Sequence, residues 1–170
     1  MSALIPKILK CDLRVLRIVD QDLTFADYKK LTSSASIETL ILWHSTIKNE
    51  DDTIVTADKL LGGLDNLHMF QTINSDNSNN FLMLQTETVK KIVQHLNGYK
   101  KMCAFQLCGI NESFDFASFS NFLLKNETVR VYLSYGAPVS YAYEESVKNI
   151  IKEIRKNRSL KVPEIHFYSF

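Results

Sequence analysis

Four histidines, three cysteines and one short acidic run are the groups in this sequence best suited to reaction chemistry. Cys103 or Cys108, set beside His44, His68, His95 or His166, would supply a nucleophile and a general base, the pairing that acyl transfer requires. No spacing in the chain encodes such a pair. There is no Gly-x-Ser-x-Gly elbow and no His-Glu-x-x-His pair, and the five glycines, at 62, 63, 98, 109 and 136, form no phosphate-cradling loop. Glu50, Asp51 and Asp52 stand in a run, without the spaced ligands and glycine turn of a calcium loop, and read as a solvated loop. An odd cysteine count without metal-type spacing reads as reduced thiols of a cytoplasmic or nuclear protein. The expectation is therefore no catalytic residue, no cofactor and no metal. Cys103 is expected inward as a small core residue, and Cys108 on the other face of the same strand.

Charge singles out no partner class. Twenty basic residues against 19 acidic ones leave a net charge of +1, so no global field attracts nucleic acid or an anionic membrane. No apolar run approaches the roughly 20 residues of a membrane span, and Pro6 and Lys7 interrupt the short apolar N-terminus that a signal peptide would need. These features predict a soluble monomer with one α/β repeat domain over residues 1–170.

The elements that must position any site follow from a frame of the form apolar-x-x-apolar-x-apolar. It occurs at Leu13/Leu16/Ile18, Ile37/Leu40/Leu42, Met102/Phe105/Leu107 and Val162/Ile165/Phe167. Weaker copies are Leu67/Phe70/Thr72 and Thr128/Val131/Leu133, which makes six units of unequal length. Helical signals lie between them. Thr24 with Asp27 fits a capping box opening a helix over about 25–34. Apolar residues at helical spacing follow Thr56, Thr86 and Asp115, with Gly62-Gly63 and Asn97-Gly98 as stops, and the longest helix is expected over about 140–157. Its acidic start and basic end match the helix dipole, so the Lys152–Arg158 cluster reads as a solvated helix end.

Strand–helix alternation demands parallel crossovers. Because mixed residues separate the apolar ones, only one sheet face is expected to be dry. The predicted fold is an irregular leucine-rich-repeat-like solenoid, six short parallel strands with helices on one side. The stretch 74–80 reads as a loop. The other sheet face then collects Arg17, Trp43, Gln71, Gln106, Arg130, Tyr132, His166 and Tyr168, types that include the usual interface anchors, and these are the candidate protein-binding residues.

These segments resemble a known family. Leu23–Ser34, Ile37–Leu42, Thr56–Leu61, Phe105–Phe116 and Val162–Phe167 are similar to the FTH homology domain found C-terminal to the F-box in many nematode F-box proteins. The resemblance covers nearly the whole chain. It implies target recognition for a cullin-type ubiquitin ligase, with a Skp-type adaptor engaged only through an F-box outside this chain. An F-box needs about forty residues before the repeats, whereas the first frame begins at Leu13, so the chain itself is not expected to bind the adaptor. The expected function is a non-catalytic protein-binding module for a protein of unknown identity. The rival readings are an F-box-free scaffold for regulatory proteins and an uncharacterised hydrolase.

Overall fold

A computed structural model describes residues 11–73, 86–157 and 161–167. The last two positions of each apolar frame fall within a strand or, for Phe167, just beyond one. In chain order the elements are β1 (Val15–Val19), β2 (Asp22–Thr24), α1 (Phe25–Leu31), β3 (Thr39–Trp43), β4 (Thr46–Lys48), α2 (Ala57–Leu61) and β5 (Met69–Ile73). There follow α3 (Thr86–Gly98), β6 (Ala104–Ile110), α4 (Phe116–Lys125), β7 (Arg130–Tyr135), α5 (Tyr141–Lys156) and β8 (Glu164–His166). Strands β1, β3, β5, β6, β7 and β8 form one six-stranded sheet in that order, with every pairing parallel. The predicted loop 74–80 lies outside the described residues.

Register converts the frames into rows across the sheet. Leu16, Leu40, Phe70, Phe105 and Val131 form one inward row, and Ile18, Leu42, Thr72, Leu107, Leu133 and Ile165 form the next. All are buried except Ile165, which is half-buried on the terminal strand. The apolar sides of the helices join these rows in one core. Phe105 lies at its centre, with ring centroids 5.5 Å from those of both Phe70 and Phe119. Two frame positions need correction. Thr128 and Val162 are exposed, and the neighbouring Val129 and Pro163 are buried instead, two residues before Val131 and Ile165. Alternation along the strand, not the frame, sets those anchors.

Local chemistry explains the helix ends. Thr24 Oγ1 accepts from Asp27 N at 3.1 Å, and Asp115 Oδ1 accepts from Ser118 N at 2.9 Å, each satisfying an orphan donor of a first turn. Helix α1 stops at Leu31, short of the predicted 34, because the Thr32 hydroxyl donates to Tyr28 O and the chain turns through Ala35 at φ 52°. Helix α2 has only five residues and no side-chain N-cap bond. Its last carbonyls are satisfied from outside, since the Tyr28 hydroxyl donates to Leu60 O at 2.6 Å and the Tyr99 hydroxyl donates to Leu61 O.

A second, two-stranded parallel sheet pairs β2 with β4 and was not foreseen. Each strand has three residues with one buried apolar side chain, Leu23 or Ile47, too few to show a period of two. Lys48 Nζ meets Asp22 Oδ2 at 2.7 Å across it, and this hydrogen bond holds the Asp22 carboxyl below its ordinary range. The chain reaches β2 and β4 through left-handed residues in the same place of two units, Asp20 at φ 51° and His44 at φ 46°.

Candidate functional site: the open sheet face

Side chains that alternate with the inward rows emerge on the opposite face, where none of the described strand residues is buried. Register again arranges them in rows. Arg17, Ile41, Gln71, Gln106, Tyr132 and Glu164 form the middle row, and Val19, Trp43, Ile73, Cys108, Ser134 and His166 form the row beyond it. Val15, Thr39, Met69, Ala104 and Arg130 form the row before it.

Two aromatic clusters occupy opposite ends of this face. On the β1–β3 side the Arg17 guanidinium carbon lies 5.2 Å from the centre of the Trp43 ring, and Trp43 is 37% exposed. Trp43 Nε1 donates to His44 Nε2 at 3.2 Å, and His44 Nδ1 lies 3.3 Å from Asp20 Oδ1. On the β7–β8 side the rings of Tyr132 and His166 lie 5.0 Å apart, and His166 Nε2 is 2.9 Å from Glu164 Oε1. Between the clusters, Gln71 and Gln106 are registered neighbours. A shallow depression of about 340 Å³ lies there, lined by Gln71, Gln106, Arg130, Tyr132 and Glu164 beside Met69 and Ala104.

The structure thus places Arg17, Trp43, Gln71, Gln106, Arg130, Tyr132 and His166 on one face, whereas Tyr168 lies outside the described residues. It does not gather them into one pocket. Trp43 and Tyr132 are separated by β5 and β6, three strand spacings or about 14 Å. Asp20, His44 and Glu164 were not among the binding residues expected from the sequence. Asp20 and His44 each stand two residues beyond the end of a frame, and that shared offset is the signal that would have found them.

Cys108, Ser134 and His166 are registered neighbours on β6, β7 and β8, a juxtaposition that nucleophilic catalysis would need. Yet burial pushes the Cys108 thiol up, away from the thiolate of a nucleophile. Ser134 Oγ makes no hydrogen bond to His166, whose Nε2 is engaged by Glu164. Cys103 corrects the sequence reading. It is exposed, not inward: at this end of β6 the neighbouring Met102 is buried instead, and the Cys103 thiol donates to His68 O at 3.2 Å. Among the described residues no group of His, Cys, Asp and Glu is arranged to hold a metal ion, and no helix is long and apolar enough to cross a membrane.

No protein-family model, curated protein or solved structure matches the chain.

Proposed function

We propose that the chain is a non-catalytic protein-binding module that engages its partner through the open face of the six-stranded sheet. The observation that carries this reading is the placement of Trp43 with Arg17, and of Tyr132 with His166, on the face that the core does not use. Trp, Tyr and Arg are the residues most often found at the energetically dominant points of interfaces. Here short strands present them, so little backbone freedom is lost on binding. The half-exposed Ile41, Met69 and Ile73 add apolar area between the anchors.

Strand order equal to chain order, one buried face and a recurring strand–turn–helix unit support an irregular leucine-rich-repeat-like solenoid. The sequence resemblance to the FTH homology domain supports target recognition for an F-box-type ubiquitin ligase subunit as the biological setting. The raised Cys108 thiol and the unlinked Ser134 weigh against a hydrolase.

The test compares the tagged chain with a Trp43→Ala/Tyr132→Ala variant in affinity purification followed by mass spectrometry. Proteins kept by the first and lost by the second are then measured directly. Truncating one hot-spot aromatic costs on the order of 2 kcal/mol, so the variant is expected to lose about thirtyfold or more in affinity with an unchanged melting curve. Full affinity in a folded double variant would end the open-face reading.

A further inference from the structure

Resting on the reading of the open face as the partner surface, we propose that the partner is an acidic protein segment lying across the strands, with one carboxylate on Arg17 and a second on Arg130. The argument is charge complementarity. Among the described residues, Glu38, Asp20 and Glu164 lie on or beside this face, Glu38 in an ion pair with an arginine and the other two each against a histidine ring. Glu38 Oε1 is 3.3 Å from Arg14 Nη2, Asp20 Oδ1 is 3.3 Å from His44 Nδ1, and Glu164 Oε1 is 2.9 Å from His166 Nε2. Arg17 and Arg130 differ. Both are exposed on the face itself, and neither forms an ion pair among the described residues.

A guanidinium held over an indole still carries its N–H donors in its own plane, the geometry that grips a carboxylate in bidentate fashion. Contact with Trp43 also restricts Arg17 before any ligand arrives, which lowers the entropy lost on binding. Arg130 lines the same depression as Gln71 and Gln106, and amide side chains carry both donors and acceptors for a peptide backbone, although Gln106 Nε2 already donates to Cys108 Sγ at 3.4 Å.

The two guanidinium groups are far apart. Arg17 on β1 and Arg130 on β7 are four strand spacings apart and offset by two residues, a separation of about 20 Å. An extended segment advances about 3.3 Å per residue, so its two acidic residues stand about six positions apart. Two isolated arginines at this distance suit discrete carboxylates on a polypeptide. They do not suit the continuous phosphate array of a nucleic acid, whose charges repeat far more closely.

Trp43 is the sole tryptophan, so its fluorescence reports occupancy of the face. The probes are twelve-residue peptides with a central Leu and Tyr and two Glu residues placed two, six or ten positions apart, with Gln counterparts, titrated at low salt. The six-position Glu peptide is expected to shift Trp43 fluorescence and to bind at least tenfold more tightly than its Gln counterpart. Arg17→Glu or Arg130→Glu should each lower that affinity about tenfold. The double charge reversal should instead favour a peptide with Lys at the two positions, and the neutral Arg17→Gln/Arg130→Gln variant should lose the preference for Glu. Unchanged melting curves are the control that these exposed substitutions leave the fold intact.

Equal binding of the Glu and Gln peptides overturns the acidic-segment proposal while leaving the face as a protein surface, as does Glu binding indifferent to both arginines. Competition by a single-stranded oligonucleotide as effective as the Glu peptide overturns it in favour of phosphate. Failure of the face itself is read separately, from full partner affinity in the Trp43→Ala/Tyr132→Ala variant.

Discussion

Tyr28 and Tyr99 show how single residues decide local structure here. Their rings belong to the core, while their hydroxyls donate to Leu60 O and Leu61 O at the end of the five-residue helix α2. Such a helix leaves its carbonyls without internal partners, and a buried unsatisfied carbonyl costs about 1–3 kcal/mol. Tyr28→Phe keeps the ring and removes the donor, so denaturant unfolding should show a loss in that range. An unchanged midpoint would mean that another donor reaches Leu60 O. The same groups give alkaline sensitivity. Burial raises the ionisation of Tyr28, Tyr99 and Tyr135 well above that of a free tyrosine. The folded state therefore holds these protons more tightly than the unfolded chain does. Their contribution is fully present below about pH 10, the unfolded value, and is lost as pH rises beyond it. Stability should decline through that window, and less steeply in Tyr28→Phe.

Elements meet closely at the β6–β7 junction. Gly109 adopts φ 82° at a register shift between Cys108 and Ile110, and a Cβ built on Gly136 would lie 2.9 Å from Gly109 Cα. Backbone meets backbone there, so no side chain can move to make room. Gly136→Ala should push β7 and the following turn away from β6, with a loss of about 1–3 kcal/mol in thermal or denaturant unfolding. A neutral effect would show that the turn has slack. Helix caps supply a milder comparison. Asp115→Ala removes the acceptor for Ser118 N and should cost about 0.5–2 kcal/mol, without altering the open face. Both glycines were visible in the sequence, but their mutual approach was not. Gly109 lies on β6 and Gly136 directly follows β7, and only the pairing of those strands makes them neighbours.

At the scale of the whole molecule, one core links every helix to the sheet, and strands separated by a full strand–helix unit form its rows. Disturbing the centre should therefore destabilise the molecule as a unit. Phe105→Ala removes a ring packed on Phe70, Phe119 and Phe122 and should cost about 3–5 kcal/mol, with far-UV and near-UV signals lost together. Its loss of binding would then follow unfolding, whereas Trp43→Ala/Tyr132→Ala should lose binding while folded. A Phe105→Ala protein that keeps native stability would contradict the single core.

What the sequence determined by itself was everything set by contacts within a few residues: alternation in the strands, the Thr24 and Asp115 caps, the number of long strand–helix units, and the parity that put Arg17, Trp43, Gln71, Gln106, Arg130, Tyr132 and His166 opposite the core. The tertiary structure decided which of these residues touch. Arg17 reaches Trp43 because β1 pairs with β3, and Tyr132 reaches His166 because β7 pairs with β8. It also decided the β2–β4 sheet, the exposure of Cys103 one residue before its strand, and the tyrosine bonds to α2. Helical and strand periods arise from local backbone geometry and leave their mark on neighbouring letters of the sequence. Register between segments a full unit apart is chosen by packing of the whole core, and no short window of residues records that choice.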